Sequence, residues 1–402
     1  MNKLLSKFGL FILYNLILTA LFYGVFIETG SLFFKELLSY YIAFIISFFI
    51  VAFFIPQLKE KAMKKLSLSN SIIISNAVKN RLFYFLFFST IVGIIIHFID
   101  IGFIPIYKAL QSADYYEVAS IRKQANLLTN KEIRYLSSFL IKSIIPFLLI
   151  YLTISKKYKL YTIIYVIGII YAFSLMQKSF IITILLPCIC YTIYCKKYKL
   201  LAKHLIVLTV YIFGLLVVTN PQVSISQDQM TQNVEMQTEN PIIIFINLIK
   251  KRTVLTPGKI VAKWFLNIPK NEPFLYGCGY RMLAPILGCN YKNYGQELYD
   301  DIFPKYAAIG IQGNVNTTSF MYDYANFGLA GLVLAGFIMG FLISSIDFIF
   351  SFSLMFKFAI NGFYILMLSS SALTTLIFSG GWGLMILLFF IYKSDLLKTP
   401  FL

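Results

Sequence analysis

The chain has 402 residues, 59% of them hydrophobic and only 13% charged, and carries a formal charge of +18. A soluble domain of this length could not bury so much apolar surface, which excludes an ordinary water-soluble enzyme. Nucleic-acid binding is disfavoured too, because the cations are scattered between apolar runs and do not gather on one polar module.

Apolar runs long enough to cross a hydrocarbon core of about 30 Å recur along the chain. In chain order they predict about ten spans, at about 8–28, 36–56, 83–104, 137–155, 159–176, 179–195, 203–220, 326–346, 355–374 and 376–392. The first run is flanked by Lys3 and Lys7 and has no small-residue cleavage site, so it reads as a retained helix. The expected fold class is all-α, a polytopic membrane protein with about 10 transmembrane helices and one large, partly helical outer loop. Three segments follow: residues 1–219 as an N-terminal bundle of about seven helices, 220–325 as the large loop, and 326–402 as a C-terminal bundle of about three.

Charge sets the orientation. The basic runs "KEKAMKK" (Lys59–Lys65), "KKYK" (Lys156–Lys159), "CKKYK" (Cys195–Lys199) and "KSDLLK" (Lys393–Lys398) fall on one side if the spans alternate. The positive-inside rule makes that side cytoplasmic and puts both termini there. The two long connections, about 105–136 and 220–325, then lie outside. Within the second, Asn220–Asn240 is a polar lead-in, and "PIIIFINLI" (Pro241–Ile249) is too short to span and reads as an interfacial or re-entrant helix. Cys278 and Cys289 would share the oxidising side and bracket "GYRMLAPILG". A disulfide between them would contribute up to about 3 kcal/mol by the chain-entropy model. Cys188, Cys190 and Cys195 lie in or beside a span and read as packing residues.

Several chemistries lack their residues. His97 and His204 are the only histidines, at opposite ends of the predicted topology, which argues against a histidine-based zinc site or a Ser-His-Asp triad. There is no P-loop and no dinucleotide fingerprint, and the isolated "GCGYR" is too weak a signal to count. No metal and no cofactor is expected.

What the outer side does carry is cations and carboxylates. Arg122 and Arg134 fall in the first long loop, Lys178 in the tight outer turn "LMQKSF", and Arg252, Lys259 and Arg281 in the second loop. The arginine fork donates two aligned hydrogen bonds to a diphosphate. A lysine between two apolar spans either snorkels, pairs or holds an anion. Among the carboxylates are Asp100, Asp114, Glu272, Glu297, Asp300, Asp301 and Asp323. Asp323 sits in "GNVNTTSFMYDYANFGLAGLVLAGFIMG", a polar stretch joined directly to an apolar one with glycines at Gly328, Gly331, Gly336 and Gly340. Such small residues let membrane helices approach closely.

Four stretches together carry a resemblance: "IGFIPIYKALQSADYYEVASIRKQA", "SLMQKSFII", "KKRTVLTPGKIVAKWFLNIPKNEPFLYGCGYRM" and the Gly313–Gly340 segment quoted above. With the span layout, the chain resembles the Wzy-type polymerases of O-antigen and capsule repeat units. That resemblance implies a metal-independent membrane glycosyltransferase of polysaccharide (lipopolysaccharide) biosynthesis. Its donor would be an undecaprenyl-diphosphate-linked oligosaccharide and its location the bacterial inner membrane, multi-pass, with the active site facing the periplasm. Membrane lipids would surround it, and a chain-length regulator is a candidate partner. The roles expected within this frame are Asp323, Arg252 and Arg281 in catalysis, with Lys178, Arg122 and Lys259 binding the lipid diphosphate. The alternatives are an O-antigen ligase, whose catalytic outer-loop histidine has no evident counterpart here, and a polysaccharide-unit flippase.

Overall fold

The computed structural model describes residues 2–66, 75–112, 115–219, 250–308 and 313–397. The lead-in Asn220–Asn240, the apolar segment Pro241–Ile249 and Asp114 lie outside the described residues. Among the described residues the regular structure is helical, with no strand.

The longer helices are α1 (Asn2–Thr29), α2 (Phe34–Leu66), α3 (Asn76–Ile101), α4 (Pro105–Leu110), α5 (Tyr115–Leu128), α6 (Lys131–Ile154), α7 (Tyr158–Ser174), α8 (Lys178–Tyr194) and α9 (Tyr198–Thr219). They continue as α10 (Thr256–Asn267), α11 (Ser319–Ile349), α12 (Leu354–Met367) and α13 (Trp382–Leu397). Among the described residues, six helical segments are long and apolar enough to cross a membrane: Leu4–Thr29, Phe34–Phe54, Asn76–Ile101, Lys131–Ile154, Tyr198–Thr219 and Ser319–Ile349. Helices α7, α8 and α12 are apolar but shorter. Seventeen residues, the length of α7 and of α8, rise about 26 Å, slightly less than a hydrocarbon core.

Of the described residues, those within Met1–Ser69, Met236–Lys357 and Tyr364–Leu373 form one compact unit. Those within Asn70–Glu235, Phe358–Phe363 and Thr374–Leu402 form a second.

In the first unit α2 and α11 pack along their lengths because glycines remove the side chains between them. A Cβ on Gly336 would come within 2.5 Å of the Tyr40 carbonyl oxygen, and one on Gly340 within 2.4 Å of that of Phe44. Helix α10 crosses α1 the same way, Gly258 against Gly24, where either added Cβ would collide with backbone. Phe33 stacks on Phe265 beside that crossing, with ring centroids 4.8 Å apart.

Helix α1 is broken at Phe8 (φ −128°, ψ 21°), and the break is capped from elsewhere in the fold. The Leu10 and Phe11 amides donate to the Asp347 carboxylate at 3.0 and 2.9 Å. Lys357 Nζ donates to the Ser6 carbonyl at 2.7 Å and to Asp347 Oδ1 at 2.5 Å. Both sides of the interruption are thus satisfied by one buried ion pair, as an interrupted helix in an apolar surrounding requires.

In the second unit α6 to α9 are joined by three-residue turns that repeat one geometry. Lys156, Met176 and Lys196 each take the left-handed conformation, with φ of 56°, 54° and 54°. The Lys157 amide reaches back to the Leu152 carbonyl at 3.0 Å and the Lys197 amide to that of Thr192 at 2.9 Å. That is the Schellman ending, which satisfies the last carbonyls of a helix in the fewest residues. His97 is a satisfied interior group, since its Nδ1 lies 2.6 Å from the Tyr171 hydroxyl, which in turn bonds Ser137 at 2.7 Å.

Candidate functional site

The polar-to-apolar junction of the sequence is a break in the chain direction. α11 is two helical pieces merged across Gly328, whose φ of +59° and ψ of −139° suit glycine alone. The Asp323 carbonyl oxygen lies so near Gly331 that a Cβ there would stand 2.1 Å from it. The short piece Ser319–Phe327 is therefore folded against the start of the apolar piece, and its polar residues do not continue along the apolar axis.

That short piece is held at every side. At its start the Ser319 amide and the Thr318 hydroxyl both donate to the Leu368 carbonyl, at 2.9 and 3.1 Å. Along its flanks Tyr322 meets Trp264 with centroids 5.4 Å apart, Tyr324 meets Phe265 at 4.8 Å, and Phe320 meets Tyr40 at 4.4 Å. The Tyr324 hydroxyl donates to the Ile268 carbonyl at 3.1 Å. At its end the turn Leu275–Gly279 is tied on by backbone bonds, Leu275 amide to Ala325 carbonyl and Tyr276 amide to Asn326 carbonyl. The buried Asn326 side chain completes the joint, its Oδ1 accepting from the Gly277 and Gly279 amides at 3.0 Å each. Gly279 has no alternative here, because a Cβ would stand 2.7 Å from Asn326.

This joint brings a tyrosine to the carboxylate. Tyr280, just beyond the turn, donates its phenolic proton to Asp323 Oδ1. Burial first, and then the Asp323 charge, push the Tyr280 phenol well above its ordinary range, so it stays a proton donor. Asp323 is half-buried, with one oxygen engaged and its orientation fixed.

The cysteines predicted to pair do so. Cys278 and Cys289 form a disulfide that closes the loop carrying Tyr280 and Arg281. The Arg281 guanidinium lies over the Tyr291 ring, 5.0 Å from its centroid, and is exposed. Stacking of this kind holds the plane of the guanidinium fork. Behind the loop Lys292 bridges Glu272 (2.9 Å) and Glu297 (3.1 Å), which raises the lysine pKa, through Glu272 first. Glu297 is thus committed to an ion pair, whereas Asp300 and Asp301 are exposed.

The remaining predicted residues distribute between the two units. Arg252 and Lys259 are exposed on the helical segment that packs on α1, in the same unit as Asp323 and Arg281. Lys178 and Arg122 belong to the second unit. Lys178 is exposed and opens α8, where its ammonium and the positive end of the helix dipole both favour an anion. Arg122 is half-buried on α5. Among the described residues, no cluster of three or more His, Cys, Asp or Glu has a geometry that could hold a metal ion.

Sequence reasoning missed Tyr280 and Asn326. Both stand in stretches that drew notice, "GCGYR" and the Asp323 segment, but the bonds joining them run across 43 to 49 positions of chain and leave no local pattern. No family model, no curated protein and no solved structure matches the chain.

Proposed function

We propose that this chain polymerises undecaprenyl-diphosphate-linked oligosaccharide repeat units into a surface polysaccharide, at the periplasmic face of the bacterial inner membrane. In this reading the shorter helices α7, α8, α12 and α13 cross the membrane with the six long ones, giving about ten spans. The observation that carries the proposal is the fixed carboxylate of Asp323. It is presented at the head of an apolar helix, oriented by Tyr280 and followed on the stapled loop by an exposed arginine.

Each part has a role in a glycosyl transfer. Asp323 accepts the proton of the acceptor sugar hydroxyl. The hydroxyl oxygen forms its bond to the anomeric carbon of the donor as the bond from that carbon to the diphosphate oxygen breaks. Undecaprenyl diphosphate leaves with the electron pair. Arg281 and Arg252 meet the negative charge growing on it, and Lys259 holds the lipid diphosphate before reaction. No metal is required where a guanidinium supplies that charge.

Deletion of the gene, followed by gel display of the surface glycan, tests the proposal. A polymerase leaves a single repeat unit on the lipid core. A ligase leaves none and accumulates polymer on its carrier, and a flippase leaves neither polymer nor single unit outside. Either of the last two results overturns the proposal.

A further inference from the structure

The disulfide loop exposes an apolar tip among the described residues. Between Arg281 and Lys292 the sequence "MLAPILGCNY" contains no charge. Ile286 is 78% exposed, Met282 68% and Leu287 55%. Side chains of this size normally lie inside a fold, and a cluster of them on a covalently closed loop marks a contact surface.

The base of the loop fixes where that surface stands. Leu275 and Tyr276 are hydrogen-bonded to Ala325 and Asn326, and Gly277 and Gly279 to the Asn326 side chain. Two residues later Gly328 begins the apolar piece of α11. The outward residues of that piece, Leu334, Ile338 and Phe341 among them, are themselves large, apolar and exposed. A lipid-facing helix shows this composition. The tip is therefore tethered at one end of a lipid-facing surface, and its side chains continue the chemistry of that surface. Of the two residues that bound it, Lys292 is paired with Glu272 and Glu297, and Arg281 is an exposed cation suited to the headgroup layer.

We infer that the Cys278–Cys289 loop is a membrane finger whose tip, Met282 to Leu287, is buried in the hydrocarbon of the bilayer leaflet at the head of α11. The inference rests on reading the long apolar helices as membrane spans. The disulfide shapes the finger, the Asn326 joint ties it to the helix carrying Asp323, and the lipid takes the tip. The depth expected is that of an interfacial element, about 5–10 Å below the headgroup boundary.

Tryptophan fluorescence in proteoliposomes tests this on the full chain. Ile286→Trp is compared with wild type, whose two native tryptophans, Trp264 and Trp382, are buried and give the background. The added emission should be blue-shifted, quenched by phosphatidylcholine brominated on its acyl chains, and untouched by iodide. Leu334→Trp on the apolar piece of α11 is the control. If Leu334→Trp is quenched by the brominated lipid while Ile286→Trp is quenched only by iodide, the finger lies in water and the inference fails. If Ile286→Trp is shielded from both quenchers, protein covers the tip, and the inference fails in favour of a protein contact. Should Leu334→Trp also escape the brominated lipid, the spanning reading itself falls and the finger with it. Met282→Trp repeats the experiment if Ile286→Trp does not accumulate.

Discussion

Asp347 and Lys357 show how much can hang on two side chains. Both are almost wholly buried, and together they cap the two ends of the interruption in α1 at Phe8. Removing one partner leaves the other as an uncompensated buried charge, a loss of about 3–5 kcal/mol. Asp347→Ala and Lys357→Ala should each reduce the resistance of the purified protein to denaturation. The double variant should lose less than the sum, because no unpaired charge remains, and strictly additive losses in a thermal melt would contradict the coupling. At the site, Tyr280→Phe keeps the ring and deletes the proton given to Asp323. Polymer synthesis should fall on the order of tenfold, the size of one charge-assisted hydrogen bond, without the complete loss expected at Asp323. Equal polymer yield from Tyr280→Phe and wild type at matched abundance would remove Tyr280 from the site. The role of the ion pair is not legible in the sequence: Asp347 falls just past the predicted span 326–346 and Lys357 inside 355–374, and the backbone groups of α1 that they cap lie more than 330 residues away.

Glycines decide how the helices meet. Gly336→Val or Gly340→Leu would drive a side chain into the α2 backbone, which cannot yield as a flexible side chain does. The expected cost is about 1–3 kcal/mol per site, read as a lower melting temperature in detergent. Gly24→Leu should do the same at the α1–α10 crossing, whereas Gly362→Ala, which meets only side chains at 3.5 Å or more, should be close to neutral. The four glycines of the α11 region were legible as packing residues, but their duties differ. Gly336 and Gly340 seat α11 on α2, Gly331 makes room for the Asp323 carbonyl, and Gly328 turns the chain. Composition cannot separate these, because the same residue type serves a close crossing and a positive φ. Gly328→Ala meets both a strained backbone and the Phe274 ring, so it should disorganise the Asp323 segment while leaving α2–α11 packing intact. A chemical probe of Tyr280 reactivity would report that loosening. The Gly24–Gly258 crossing joins positions too distant in sequence for any motif to reveal.

At the scale of the molecule, apolar runs and basic turns carry most of the information. The long hydrophobic stretches became helices near the expected places, because a backbone in lipid must satisfy its hydrogen bonds within the segment. The ends differ for local reasons, as where the last predicted run, about 376–392, begins instead at Trp382 after a turn through Gly380 and Gly381. In the α6–α9 array the turns at Lys156–Lys157 and Lys196–Lys197 share one geometry and the same basic pair, and the intervening turn ends in Gln177. Reporter fusions after Lys197 should therefore report cytoplasm, and fusions after Asp300 the periplasm. The opposite pattern would leave Asp323 facing the wrong compartment for a lipid-linked glycan. The most direct test of the proposed activity is the surface glycan of cells carrying Asp323→Asn in place of the wild-type chain, at equal membrane abundance. Asparagine keeps the shape and removes the base, so the gel should show a single repeat unit on the lipid core, as in the deletion. A polymer ladder of wild-type length would contradict it.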